Sequence, residues 1–500
     1  MRKILFVLLM SFLIFPQKIT LKQVVTLAME KNPDILVAKY EPEKSKNLWE
    51  ASRAIFVPSL SFSASASKDQ QKPSSIFEGR SDRVDTDRES GELQIIQTLP
   101  TGGNITFSVS QNRNYTTNLF YQLNPSYTTF FQLSLSHPLL KNAGISVTKQ
   151  NIIISRANYE RSQLDFRARA EEVVLDVVQA YWNYLYYLEA YRVKEESLKL
   201  AQDLYHQNLE MVKVGKKSSL DLVEAEAEVE NRRAELIEAR NQLENAREQL
   251  RLKTGMETIP EDPSSFEPPR TVRTLPDLAS VLEYARRNNP QLLAAQKQVE
   301  TAEFQMRVKK NALKPELNLQ LSLSTIGRAG DRVLYKNNNP FSGEVVGKIS
   351  GSPYDALNEA LRGAYNSVNL SLVYKMPVLR QREVGEFRAA VSEYYQAREN
   401  YRKVLSQVEY EVKSAWRDAV AAYQRMIATK KARELAEKKL EAEQVKFAQG
   451  ASTNYMVLTY QRDLANARIN ELKSLLDYNV ALYRLKKAAG RLLEGFQIKF

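Results

Sequence analysis

Val212–Val223 reads VKVGKKSSLDLV, and its counterpart Phe447–Leu458 reads FAQGASTNYMVL. In both, a heptad-like segment stops at a glycine, Gly215 or Gly450, and glycine takes the left-handed conformation after a helix at low cost. The Ser, Thr and Asn residues that follow are typical caps for the free N–H groups of a new helix. Each stretch is therefore predicted to reverse the chain between two long helices. The two glycines lie 235 residues apart, which indicates a duplicated chain.

A second pair of similar segments supports the duplication. Leu21–Ala38 reads LKQVVTLAMEKNPDILVA, and Leu278–Ala295 reads LASVLEYARRNNPQLLAA, 257 residues later and without a gap. Each contains an Asn-Pro step, Asn32-Pro33 in the first copy, where asparagine caps a helix and proline suits its first position. The difference between the offsets of 257 and 235 gives the first copy 22 additional residues, which we assign to its strand region.

After Pro58 and Pro315 the hydrophobic period changes from that of a helix to that of a strand. Ser59–Ser67 reads SLSFSASAS, and Leu317–Ser324 alternates leucine with polar residues, so both are predicted to be strands with one apolar and one polar face. The turn residues Pro100–Gly103 predict a hairpin. Strands are also predicted at Leu93–Leu99, Ile105–Gln111, Phe131–Ser136 and Val368–Met376, and polar loops at 68–92 and 325–366.

Long helices follow the strands in each copy. In the first copy, apolar residues recur every three or four positions up to Val212 and again from Leu222 to Leu250, broken by Arg232, which predicts coiled-coil packing. Pro42 is predicted to kink or interrupt an earlier helix. The seam of the first long helix is predicted at Val177, Tyr181, Tyr184, Leu188, Tyr191, Leu198, Tyr205, Leu209 and Val212.

These patterns predict a mainly helical α+β fold in which helical hairpins and antiparallel strands are duplicated. A signal peptide is predicted at 1–16, because Arg2 and Lys3 precede the twelve-residue apolar run Ile4–Phe15. The first repeat is predicted at 17–256, with helices 20–57 and 146–254 and strands at about 59–137. The second repeat is predicted at 276–495 after a linker at 257–275, with helices 277–313 and 384–490 and strands at about 316–377.

Composition argues against several kinds of site. The chain has no cysteine, which excludes a disulfide framework, a thiolate metal site and a catalytic thiol. Its two histidines, His137 and His206, lie in different predicted elements, so no metal site and no cofactor are expected. A formal charge of +12 is compatible with nucleic acid as a partner. The basic residues alternate with glutamate along the helices, however, so no nucleic-acid partner is expected and solvated helix faces are the better interpretation.

The strands leave two interpretations open. One is a soluble antiparallel sheet whose apolar face packs on helices. The other is a closed membrane barrel, for which four to six strands per chain are too few, so that an oligomer would be required. The export signal, the one-sided strands and the length of the helices favour the second interpretation.

The sequence resembles the TolC-like outer membrane efflux protein family over nearly its whole length. The resemblance rests on the two Asn-Pro helix starts, the strand entries at Pro58 and Pro315, the HPLLKNAG stretch at 137–144 and the two reversals. It implies a homotrimer with a twelve-stranded barrel in outer-membrane lipid and a helical tunnel across the periplasm. It also implies export of small molecules or proteins, as in efflux or type I secretion, without catalysis. The implied partners are a periplasmic adapter and an inner-membrane pump of the RND, ABC or MFS type.

The resemblance also implies a site at the two reversals. The periplasmic aperture is assigned to Asp221, Asn454, Tyr455, Met456 and Thr459. The adapter-contact tips are assigned to Val214, Gly215, Lys216, Lys217, Ser218, Gly450, Ala451 and Ser452.

Departures from the family occur at these positions. Met456 and Thr459 stand where well-known members carry aspartates, so the aperture is predicted to be a polar or hydrophobic constriction. Asp221 matches a family aspartate, but the position of its tyrosine partner is Phe447, which has no hydroxyl. Lys216 and Lys217 replace more apolar residues, which indicates an adapter other than the commonest type.

Two alternatives accompany this interpretation. One is a structural coiled-coil tether that spans the periplasm without a pore, since it would show the same helical pattern. The additional hairpin, residues 93–111, is predicted to lie outside the barrel, with enlargement of the barrel as the other possibility.

Overall fold

The computed structural model describes residues 18–75, 78, 82–118, 120–269, 275–339, 341 and 344–498. The predicted signal peptide and part of the predicted linker lie outside these residues. The chain divides into two compact units. The first, the helical unit, comprises Met1–Lys44, Glu160–Gln298 and Arg398–Phe500; the second, the strand unit, comprises Ser45–Tyr159 and Val299–Ala397.

The elements follow each other in two similar halves. The helices are α1 (Leu21–Lys31), α2 (Pro33–Ser52), α3 (Ile145–Thr148), α4 (Gln150–Lys213), α5 (Ser219–Thr254), α6 (Leu278–Asn288), α7 (Pro290–Ala312), α8 (Pro353–Leu361), α9 (Gln381–Ala448), α10 (Asn454–Ala488) and α11 (Leu492–Gly495). The strands are β1 (Ser59–Gln71), β2 (Val84–Thr98), β3 (Asn104–Thr116), β4 (Leu123–Pro138), β5 (Glu316–Tyr335), β6 (Val345–Ile349) and β7 (Tyr365–Lys375). The predicted α+β class with duplicated helical hairpins and antiparallel strands is confirmed.

All strands of the strand unit form one antiparallel sheet. Its order is β1-β2-β3-β4-β5, with β7 beside the first part of β5 and β6 beside the last part. The predicted hairpin at Pro100–Gly103 is confirmed, since it joins β2 to β3. This hairpin is hydrogen-bonded to β1 on one side and to β4 on the other. The hairpin that was predicted to lie outside the barrel is therefore an integral part of the sheet.

The predicted loops are shorter in the structure. The segment 68–92 contains the end of β1 and the start of β2, and 325–366 contains the end of β5, β6 and α8. The strand ends were not predicted because their composition is polar. Backbone hydrogen bonds between neighbouring strands, and not an apolar face, hold them together. The helix α8 approaches the sheet closely: a Cβ at Gly327 would lie 2.0 Å from the Ala356 carbonyl oxygen.

The core of the helical unit forms around the middle of α4. Val177, Tyr181, Tyr184 and Leu188 are buried against α1, α5 and Phe266, as the heptad pattern predicts. Toward the tip the predicted seam is wrong by one residue. There the buried positions are Ser197, Ala201, Leu204 and Asn208, and the predicted Leu198, Tyr205 and Leu209 are half-buried. An α-helix drifts by about 20° per heptad relative to a 3.5-residue repeat, which moves the buried stripe.

Arg232, which breaks the heptad of α5, is only 3% exposed. Its guanidinium pairs with Glu228 at 2.5 Å and with Glu235 at 3.5 Å, so the buried charge is compensated on its own helix. Pro42 does not interrupt its helix, because α2 continues through it. Among the described residues, no helix combines the length and the apolar character needed to cross a membrane.

The two Asn-Pro helix starts have the same geometry. Asn32 Oδ1 accepts from the Asp34 N–H at 2.8 Å, and Asn32 Nδ2 donates to the Lys253 carbonyl at 2.7 Å. In the second half, Asn289 Oδ1 accepts from the Gln291 N–H at 3.0 Å, and Asn289 Nδ2 donates to the Ala488 carbonyl at 3.1 Å. Each asparagine caps one helix and holds the end of another, which explains the matching sequence signature.

Candidate functional site at the two helical tips

The first tip joins α4 to α5 through Gly215, whose φ of +70° is left-handed. The Gly215 N–H donates to the Val212 carbonyl at 3.0 Å, and the Lys216 N–H donates to the Met211 carbonyl at 2.8 Å. This pair of bonds is the Schellman motif, which satisfies the last carbonyls of a helix. The glycine is required by this backbone conformation and not by space, since an added Cβ would meet nothing within 4 Å.

The second tip joins α9 to α10 through Gly450, whose φ is +77°. The Gly450 N–H donates to the Phe447 carbonyl at 3.0 Å, and the Ala451 N–H donates to the Lys446 carbonyl at 2.9 Å. The two predicted chain reversals are therefore confirmed, and they share one hydrogen-bond pattern.

Each returning helix starts with a side-chain cap. Ser218 Oγ accepts from the Asp221 N–H at 3.3 Å, and Asp221 Oδ2 accepts from the Ser218 N–H at 3.1 Å. Thr453 caps α10 by accepting from the Met456 N–H at 3.4 Å. The carboxylate of Asp221 is thus engaged in holding the start of α5.

Two residues after each glycine, a side chain donates a hydrogen bond to a buried polar group of the helix that precedes the turn. Lys217 Nζ donates to Asn208 Oδ1 at 2.7 Å, and Ser452 Oγ donates to Glu443 Oε1 at 2.6 Å. Both the donors and the acceptors are related by the 235-residue offset. The contact is therefore present in both copies, but its groups differ. In the first copy a lysine ammonium donates to an amide oxygen, and in the second a serine hydroxyl donates to a carboxylate.

Lys217 also connects the two tips. Its Nζ lies 4.7 Å from the centre of the Phe447 ring, within the range of a cation–π interaction. Partial burial lowers the pKa of Lys217, and the nearby carboxylate of Asp221 acts in the opposite direction. Lys217 therefore lies near both Asp221 of its own tip and Phe447 of the other.

The predicted aperture residues at the start of α10 differ in exposure. Asn454 is 3% exposed, and within the described part of the chain its side-chain amide has no hydrogen-bond partner. Tyr455 is 64% exposed. Met456 and Thr459 are half-buried, and Thr459 Oγ1 donates to the Tyr455 carbonyl at 2.8 Å.

A cleft of about 270 Å³ separates α5 from α10 near the tips. It brings Tyr455 and Thr459 of the second repeat beside α5 of the first, whereas Met456 is not part of its lining. The charged members of this cleft have no distinctive signal in the sequence, because their glutamates alternate with basic residues like those of any solvated helix. The lining comprises Glu224, Ala227, Glu228, Asn231, Tyr455, Leu458, Thr459 and Arg462.

The predicted adapter-contact residues fall into two groups. Lys217 and Ser452 are half-buried and bonded within their own tips. The exposed group consists of Val214, Gly215, Lys216, Ser218, Gly450 and Ala451. Among the described residues, no cluster of histidine, aspartate and glutamate suits a metal ion.

The sequence matches the profile of one protein family, described as outer membrane efflux protein, over residues 24–256 and 281–491. Both matched segments contain a helical tip. The comparison with curated proteins found no match.

Solved structures share the fold. The Campylobacter jejuni CmeC outer membrane channel matches with a TM-score of 0.63 and 16% identity, over 94% of this chain and 86% of its own. The Vibrio cholerae outer membrane protein VceC gives 0.63 and 14%, over 94% and 96%. The open state of the Neisseria gonorrhoeae MtrE outer membrane channel gives 0.62 and 18%, over 94% and 89%.

Proposed function

Because this chain belongs to the outer membrane efflux protein family, we propose that it is the outer-membrane channel of a tripartite export system. In this proposal three copies assemble around a common axis, cross the outer membrane with their strands and extend their helices into the periplasm. Substrates pass through the duct passively, and the energy comes from an inner-membrane pump. The family match over both repeats is the observation that carries the proposal.

The helical tips are proposed to be the periplasmic end of this duct. Six tips, two from each chain, would surround the aperture. The start of α10, with Tyr455, Met456 and Thr459, is assigned to its wall. The interaction of Lys217 with Phe447 supports a closed resting state, since it connects the tips of the two repeats.

The exposed surface of the tips is proposed to bind a periplasmic adapter. Lys216 is exposed there beside Val214, which is 65% exposed, so the surface offers both a positive charge and apolar contact. Such a surface fits an adapter tip with a carboxylate next to an apolar side chain. The pump behind the adapter is of the RND, ABC or MFS type.

Conductance across a planar bilayer tests the proposal directly. The purified protein is expected to form long-lived conducting pores, and a periplasmic tether without a pore would give none. In cells, deletion of the gene is expected to raise sensitivity to a toxic compound or to abolish secretion of a protein. A bilayer without conductance, obtained with a folded and membrane-inserted protein, would contradict the proposal.

A further inference from the structure

One face of the sheet carries exposed apolar side chains out to both of its edges. On β1 these are Leu60 and Phe62, which are 67% and 73% exposed. On β7 they are Val368, Leu370 and Leu372, between 62% and 71% exposed. A continuous apolar surface of this kind needs surroundings that exclude water.

The hairpin of β2 and β3 continues this surface. Leu93 on β2 lies opposite Phe62 on β1 and opposite Val109 on β3, and Val109 lies opposite Phe131 on β4. Directly opposite residues of antiparallel strands project to the same face. A neighbouring row crosses six strands without a polar member and comprises Leu60, Ile95, Phe107, Leu133, Leu323 and Val368.

The residues between these apolar positions point to the other face and are largely polar. On the hairpin they include Gln94, Ser108 and Ser110, and on β5 and β7 they include Ser322 and Ser371. Strands that cross a membrane as part of a wall alternate in this way between lipid and an aqueous interior. With 15 and 13 residues, β2 and β3 exceed the length of about 9–11 residues that a tilted strand needs to span a bilayer.

The edges of the sheet are suited to join copies of the chain. Within the described residues, β1 pairs with β2 alone and β7 with β5 alone. Five antiparallel steps separate β1 from β7, so these edge strands run in opposite directions. The β7 edge of one copy can therefore continue antiparallel pairing with the β1 edge of the next. An unpaired edge in lipid would leave backbone groups unsatisfied at a cost of several kcal/mol each.

We propose that the β2–β3 hairpin forms part of the membrane wall, so that three chains close a ring of eighteen strands, six from each. This inference rests on the proposed trimeric channel and changes the twelve strands that the family resemblance implies. Since barrel diameter grows about linearly with strand number, the opening is about 1.5 times as wide as that of a twelve-stranded ring. The wider opening favours bulky substrates.

Single cysteines test the position of the hairpin cleanly, because the chain has none of its own. Leu93→Cys and Gln94→Cys probe the two faces of β2. The matched controls, Leu321→Cys and Ser322→Cys, probe the two faces of β5, which belongs to the wall with either strand number. Each variant, in its assembled form in vesicles, carries a nitroxide label whose accessibility to oxygen and to a water-soluble nickel complex is measured.

Both pairs are expected to alternate: labels at positions 93 and 321 are reached by oxygen and lose access to the nickel complex, whereas those at 94 and 322 keep it. Alternation on β5 with nickel access at both hairpin positions would overturn the eighteen-stranded ring and leave the channel intact. Loss of alternation on β5 as well would overturn the proposed channel.

A crosslink provides the second measurement. Ser65 and Ser90 are opposite each other on β1 and β2, with their hydroxyl oxygens 2.7 Å apart. The double variant Ser65→Cys, Ser90→Cys is expected to form an intrachain disulfide in the assembled protein and to retain its conductance. Ser65→Cys with Asn112→Cys, one strand further away, is the control without a crosslink. A crosslink that forms but abolishes conductance would contradict the inference, because it would show that the functional wall separates β1 from β2.

Discussion

The ammonium group of Lys217 lies over the ring of Phe447, 4.7 Å from its centre, and the same group is hydrogen-bonded to Asn208 at 2.7 Å. One side chain thus holds the first tip closed on itself and binds it to the second. The contact lies next to Asp221, whose carboxylate partly offsets the effect of burial on the pKa of Lys217. Lys217 and Phe447 therefore form a direct contact between the two repeats.

Lys217→Met is expected to weaken this contact, because methionine keeps an apolar stem but has neither the charge nor the donor. The loss is about 1–2 kcal/mol, the sum of a cation–π interaction and one hydrogen bond. Hydrogen exchange at the ends of α4 and α9 should accelerate about tenfold, and the fraction of open channels in a bilayer should rise. Lys216→Met is the matched control, since Lys216 is exposed beside it. Equal effects of both substitutions would show that the tip depends on positive charge alone and not on the specific contacts of Lys217.

Met456→Asp is expected to strengthen cation selectivity, because a carboxylate from each of three chains would line the aperture. The reversal potential of the channel in a salt gradient measures this change. Met456→Asn has nearly the same shape without the charge and should leave the potential near that of the unmodified protein. An unchanged potential in the aspartate variant would place residue 456 away from the conducting path.

Gly215→Ala is expected to destabilise the first tip by about 1 kcal/mol, because alanine is strained at positive φ. Gly450→Ala should do the same at the second tip. Since a Cβ would meet nothing at either position, the cost is conformational and local. Gly385→Ala, within α9 and equally unobstructed, is expected to stabilise by about 0.5–1 kcal/mol, because alanine is the better helix former. Thermal unfolding of the three variants distinguishes these effects, and destabilisation by all three would contradict the explanation.

Glu171 is expected to make the helical unit sensitive to pH. It is 1% exposed, and burial raises its pKa from 4.5 to about 7, although Arg167 and Lys487 act in the opposite direction. The folded state therefore binds a proton more tightly than the unfolded state, so stability falls as the pH rises from 4.5 to 7 and then remains level.

Glu171→Gln removes this dependence and should stabilise the protein by about 3 kcal/mol at pH 8, with little effect at pH 4. Denaturant unfolding at the two pH values measures the difference. The neighbouring Glu172 is exposed and pairs with Arg169 at 2.7 Å, so Glu172→Gln should change stability by less than about 0.5 kcal/mol. A pH-independent effect of Glu171→Gln would show that packing, and not ionisation, governs the site.

The helical tips were predictable because their signals are local. A glycine that needs positive φ and a capping residue three or four positions later identify a reversal without knowledge of the rest of the fold. The Asn-Pro steps were predictable for the same reason. The contact of Lys217 with Phe447 was not, since it joins residues 230 positions apart and depends on how two hairpins pack.

The buried face of α4 was predictable only in part, and the cleft between α5 and α10 was not predictable from the sequence. Periodicity identified the buried centre of α4 around Tyr181 and Tyr184, but it failed by one residue toward the tip, where the partner helices decide which side is covered. The glutamates of the cleft carry no signal of their own, because their spacing matches that of ordinary solvated helices.

By itself, the sequence determined the duplication, the reversals and the two-faced strands, because repeats, caps and alternating polarity are properties of neighbouring residues. Only the tertiary structure decided that the hairpin of β2 and β3 lies inside the sheet and that one apolar row crosses six strands. The physical reason is that strand pairing satisfies backbone hydrogen bonds, which are the same for every residue. Register across the sheet is therefore fixed by long-range packing and by the alignment of apolar faces.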